Sequence, residues 1–162
     1  MGGMCFALCL AGRKPDKDKN EITEPLMEET RYGLRVTLPV GYNEARERTV
    51  VALQEQGFGV LTSIDVKQTL KAKLDKDFRK YVILGACNPL LASRALDTEL
   101  EIGLLLPCNV IVYEIDPNRS AVAAMAPIPA LGIVGQRPEL QVIAAEADER
   151  LRRALKKLEE SS

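Results

Sequence analysis

Residues 108 to 126 constrain the fold more tightly than any other stretch of the chain. They read CNVIVYEI, DPNRS and AVAAMA in succession. The outer two are short runs of strand-forming residues, and the middle five place Asp, Pro and Asn where a tight turn uses them. Two strands joined so closely pair as an antiparallel hairpin. Pro107 stands just ahead of the first strand, where a missing N–H does little harm.

The other segments extend that ladder. RYGLRVTL alternates, with Tyr32, Leu34, Val36 and Leu38 on one face, and Pro39 and Gly41 close it. From Tyr42 to Gln56 the period turns helical. Tyr42, Ala45, Thr49, Ala52, Leu53 and Gln56 share one stripe, and Gly57 is placed to end the helix. FGVLTSI is a further strand, after which Asp65 caps the short helix VKQTLKAKL and DKDFRK makes a solvated turn. YVILGAC is apolar almost throughout, the mark of a central strand covered on at least one face. Asn88 and Pro89 open a helix over PLLASRALDT, with Asn at the cap and Pro at the first helical position.

PIPALGIVGQR reads as an apolar loop, too apolar for an open connector and expected to be buried as a lid or in a dimer interface. Pro138 opens a long last helix whose Leu140, Ala144, Ala147, Leu151, Ala154 and Leu158 fall alternately four and three apart. This order predicts an α+β domain over residues 31–160, a sheet with helices on one face. No Gly-x-Gly-x-x-Gly turn or P-loop occurs, which argues against a doubly wound nucleotide-binding fold.

Composition narrows the chemistry. The chain has 162 residues, enough for one domain with a real core. It contains no histidine, so imidazole bases, Ser-His or Cys-His nucleophile pairs and mixed Cys/His zinc sites are excluded within one chain. A net charge of −1 and the lack of Trp argue against nucleic acid as a partner. The four cysteines form no Cys-x-x-Cys pair and no dense disulfide framework, so reduced thiols in a cytoplasm are expected.

Residues 1–30 read as a flexible extension. MGGMCFALCLAG is too short to span a bilayer, so no stable membrane insertion is expected, and Phe6 stands where a myristoylation motif wants Ser or Thr. GRKPDKDKNEITEPLMEET is polar, mixed in charge and broken by Pro15 and Pro25. Two readings stand for it: an extended start with Met27 as internal initiator, or an arm that touches a membrane or partner through Phe6, Leu8 and Leu10.

GFGVLTSIDV, LGACNPLLASRAL and GLLLPCNVIVYE together resemble the domain-of-unknown-function 302 family, a set of small, mainly prokaryotic proteins. The likeness spans about Arg31 to Leu158. It implies a TATA-binding-protein-like α+β fold, β-α-β₄-α, with a mostly antiparallel sheet, and it implies a homodimer. It implies no activity, since members have none established.

The functional candidates are the paired Cys-Asn motifs: Cys87, Asn88, Cys108 and Asn109. If their strands are antiparallel neighbours, both cysteines stand at one end of the sheet, bracketing the helix that Asn88 caps. Two thiols, two amides and a helix N-terminus would suit a small molecule, an anion or a soft metal ion, although two sulfurs alone leave a metal short of ligands. The preferred reading is a non-enzymatic homodimer binding an unidentified small ligand there, with no cofactor assigned. The alternatives are a thiol-dependent redox sensor or enzyme using Cys87, and a purely structural interaction module. As plain structure, buried Cys is a small apolar filler and Asn88 is a helix cap. Arg94 and Glu101 are the nearest activators for a thiol. The carboxylates Glu99, Glu101 and Glu114 offer a weaker acid/base reading, and KQTLKAK a weaker phosphate-binding one.

Overall fold

The computed structural model describes residues 27–135 and 137–161; the readings placed on residues 1–26 lie outside the described residues. Six strands form one sheet. They are β1 (Glu28–Glu29), β2 (Gly33–Leu38), β3 (Gly59–Asp65), β4 (Tyr81–Cys87), β5 (Cys108–Asp116) and β6 (Arg119–Met125). Their order is β1-β2-β6-β5-β4-β3, and every pair is antiparallel. Among the described residues the helices are α1 (Tyr42–Glu55), α2 (Val66–Leu74), α3 (Pro89–Thr98), α4 (Pro127–Leu131) and α5 (Pro138–Glu160), with short 3-10 helices at Leu100–Leu105 and Gly132–Val134. From β2 onward this is the expected β-α-β₄-α arrangement, with α2 and α3 inserted between strands, α4 ahead of α5, and β1 added at the sheet edge.

Strand alternation builds the core. Val82, Val112, Val122 and Val36 lie in register across β4, β5, β6 and β2, each at most 1% exposed. β-Branched side chains suit this pleated, covered surface because their rotamers are already restricted. Helices α1 and α5 cover the row, bringing Ala45, Ala52 and Leu53 from one side and Leu151, Ala154, Leu155 and Leu158 from the other. The whole predicted seam of α5 is buried. Its first half packs elsewhere, where Leu140, Ile143, Ala144 and Ala147 meet Leu91, Ala95, Ile102 and Leu131 in a second core.

Caps set where the elements stop. Gly57 has φ of 80°; its N–H donates to the Gln54 carbonyl at 2.9 Å and that of Phe58 to the Leu53 carbonyl at 3.0 Å. This Schellman ending of α1 turns Phe58, 2% exposed, into the core. The Asp65 carboxylate accepts the Gln68 N–H at 2.9 Å, capping α2 as expected.

Three expectations need amendment. PIPALGIV, residues 127–134, is not a loop: Pro127, fixed at a helical φ, opens α4, and Gly132–Val134 continue as a 3-10 helix. Pro127 and Leu131 are buried, whereas Ile128 and Ile133 are 53% and 78% exposed. Tyr32, placed with the core face by alternation, precedes the strand in a bend and is 79% exposed. Lastly, the sheet begins before Arg31, since Glu28 and Glu29 pair with Arg35 and Leu34, and Met27 packs against the core. Among the described residues, no helix is long and apolar enough to cross a membrane.

Candidate functional site

Register fixes the geometry of the Cys-Asn pairs. Ala86 of β4 faces Cys108 of β5, and Gly85 faces Asn109. Cys87 and Cys108 therefore stand at the same end of one antiparallel pair, and both line a single cavity under α3 and α5. Asn88 lines it too. Its side chain accepts the Leu91 N–H at 3.2 Å and it is 6% exposed, so it is the buried N-cap of α3. The rest of the lining is apolar, including Phe58, Leu91, Leu131 and Ile143. Its free space is about 30 Å³, room for a water or two and not for a metabolite.

Electrostatics at the sulfurs favour the neutral thiol. Burial, and then the neighbouring Cys87, push Cys108 up to about 11, and burial alone pushes Cys87 up. Both cysteines are free. Arg94, the nearest expected activator, instead donates to Glu146 across the α3–α5 contact at 2.9 Å. Glu101 is exposed in the 3-10 helix. Glu99 is ion-paired with Arg137 and Glu114 with Lys80, each at 2.8 Å, so those carboxylates serve separate surface contacts. On α2, Lys71 is held by Asp75 and Asp77. Among the described residues, no group of three or more Cys, Asp or Glu is arranged to hold a metal ion.

Asn109 parts from the other three. Successive residues of a strand point to opposite faces, so Cys108 turns toward the helices and Asn109 away from them. Asn109 lines an open groove of about 740 Å³ on the sheet's other face. The floor belongs to a cross-strand row running Ile64, Ile83, Ile111, Ala123, Arg35 and Glu28 from β3 to β1. Tyr113 stands beside this row, stacked on Tyr81 with ring centres 5.6 Å apart. Arg31, Tyr32, Pro129, Ala130 and Ile133 complete the lining, and the Ala126 N–H donates to the Tyr32 carbonyl at 2.9 Å where these two segments meet. Gly85, opposite Asn109, is required by close approach: a Cβ there would lie 2.3 Å from Thr62 Oγ1 and 2.8 Å from Pro107 Cγ.

Sequence reading did not single out Arg35, Ile111, Tyr113 or Ala123. Their signal was the alternation itself, which sets Arg35 opposite Leu34 and Val36, and Ile111 and Tyr113 opposite Val110 and Val112. An outer face carrying three isoleucines departs from the polar face of an ordinary one-sided antiparallel sheet.

Comparison with known proteins agrees with this architecture. A crystal structure of an uncharacterized conserved protein DUF302 from Bacillus stearothermophilus superposes with a TM-score of 0.72 at 33% sequence identity. The match covers 79% of this chain and 98% of that one. No curated protein matches the sequence. The family described as Domain of unknown function DUF302 matches residues 34–158, from the first core residue of β2 to the last buried turn of α5. The chain belongs to that DUF302 family.

Proposed function

We propose that the protein is a homodimeric binding protein, without catalytic activity of its own, that holds a small molecule in the groove beside Asn109. The groove carries this reading. Its volume of about 740 Å³ lies in the range of small-molecule sites, and a mostly apolar lining meets a few polar groups in Arg31, Arg35, Asn109 and Tyr113. The cavity of Cys87, Asn88 and Cys108 is too small for such a guest and supports the groove from behind, sharing Leu105 and Met125 with it. The raised thiol pKa values support a packing role for these cysteines over thiol chemistry.

The second copy belongs at β3. That strand ends the sheet, leaving one edge without a partner among the described residues, and Leu61 and Ile64 are 67% and 48% exposed on it. An apolar open edge of this kind is what strand pairing between copies covers.

The groove is tested by NMR with 1-naphthoate and 1-naphthamide as probes. Contacts to the Ala123 and Ile111 methyl groups are expected, and Ala123→Leu, which fills the floor, should abolish them without lowering the unfolding temperature. Absence of contact with both compounds refutes the reading. For the dimer, sedimentation should give two copies at micromolar concentration and one copy for Leu61→Lys. A wild-type monomer at that concentration removes the β3 interface.

A further inference from the structure

We infer that the guest of the groove is an organic anion, a carboxylate on a flat apolar body, recognised by Arg35. The inference rests on the groove being a binding site and adds the class of its ligand. Three observations carry it. First, two arginines, Arg31 and Arg35, line the groove, and the carboxylate of Glu28 at the end of the floor row leaves an excess of positive charge there, although the whole chain has a net charge of −1. An excess of one sign between low-dielectric walls concentrates ions of the other.

Second, Arg35 has an incomplete set of partners. Its Nη1 lies 3.5 Å from Glu28 Oε2, well beyond the roughly 2.7–2.9 Å of a close charge-assisted bond. Its Nε is buried and has no partner. That Nε is sealed from solvent, so the groove meets the Nη groups of a side chain that keeps 36% exposure, one of them held only loosely by Glu28. A carboxylate meets those N–H groups with the two-oxygen geometry that a guanidinium fits and an ammonium does not.

Third, the remainder of the groove suits a planar apolar body. Ile111 and Ala123 floor it beside the guanidinium, Tyr113 flanks the floor, and Tyr32 stands 79% exposed at the rim with no core role. Asn109 adds a neutral polar contact at the far end of the same space.

Titration calorimetry with 1-naphthoate and its neutral isostere 1-naphthamide separates the layers of this claim. On the wild-type protein the carboxylate should bind at least tenfold more tightly than the amide. Arg35→Gln should bring the carboxylate down to the amide's affinity and leave the amide unchanged, and Arg35→Lys should recover only part of the difference. Ile133→Glu, which adds a negative charge to the lining and leaves both cores intact, should weaken the carboxylate about tenfold more than it weakens the amide. Equal binding of both probes to the wild type overturns the anion inference and keeps the groove. Equal loss of both in Arg35→Gln also overturns it, showing Arg35 to be structural. Binding of neither probe overturns the groove reading itself.

Discussion

Cys108 is expected to resist iodoacetamide until the solution is strongly alkaline. The reactive species is the thiolate, and burial with the neighbouring Cys87 moves this thiol from 9.0 to about 11. At pH 8 that leaves roughly a hundredfold less thiolate than an unperturbed cysteine has. Limited access slows the reaction further, since Cys108 is only 9% exposed. Cys87 is also raised by burial but sits half-buried at the end of β4, so it should react before Cys108 and after a free peptide thiol. Timed alkylation between pH 7 and 10, quenched and read by peptide mass spectrometry, gives each rate separately against a cysteine peptide in the same tube. Modification of Cys108 at pH 8 within tenfold of the free peptide would refute the burial argument. Labelling of Cys87 faster than the peptide would restore the thiol-dependent reading, because it requires a stabilised thiolate that this environment does not provide.

Asn88→Ala removes a buried helix cap, so denaturant unfolding should show a loss of about 1 kcal/mol and a melting point lower by about 3 °C. Gly85→Ala drives a Cβ into Thr62 and Pro107 and should cost about 1–3 kcal/mol, while Gly132→Ala, with nothing within 4 Å, should cost much less; equal effects would discount the close approach. Leu151→Ala empties the meeting of α5 and the sheet at a residue with no exposure, and should cost about 2–5 kcal/mol by the same assay. The Glu146 carboxyl is held below its ordinary 4.5 by hydrogen bonds from Arg150 and then Arg94. Its contribution to stability is therefore present above pH 4.5 and lost as pH falls through the lowered value. Unfolding of wild type and Glu146→Gln should differ at pH 6 and draw together as pH falls below 4.5; a constant difference would refute the linkage.

The elements that local chemistry specifies were legible from the chain. Asp65 and Asn88 cap helices because short side-chain oxygens reach free N–H groups, and Gly57 ends α1 because φ of 80° excludes most residues. The seam of α5 was visible as a period. What escaped was settled by distant packing. Pro127 followed by Ile, Pro and Ala reads as a broken connector until Leu131 is seen to bury in the second core. The Cys-Asn pairs looked alike, yet Asn88 lies at a helix start and Asn109 inside a strand. One joins the thiols and the other leaves for the opposite face. Arg35 gained its place only when β2 paired with β6, a strand far along the chain, which set it beside Ala123.

Leu105 and Met125 each touch both the thiol cavity and the groove. The two spaces are thus separated by a partition one side chain thick, and Met125 is its pliable half, an unbranched thioether that changes shape easily. A guest that leaned on Met125 from the groove would alter the packing around Cys87 and Cys108 without touching either. The cysteines would then act as a gauge on the far side of the wall, their alkylation rates registering occupancy of a space that Cys87 and Cys108 do not line.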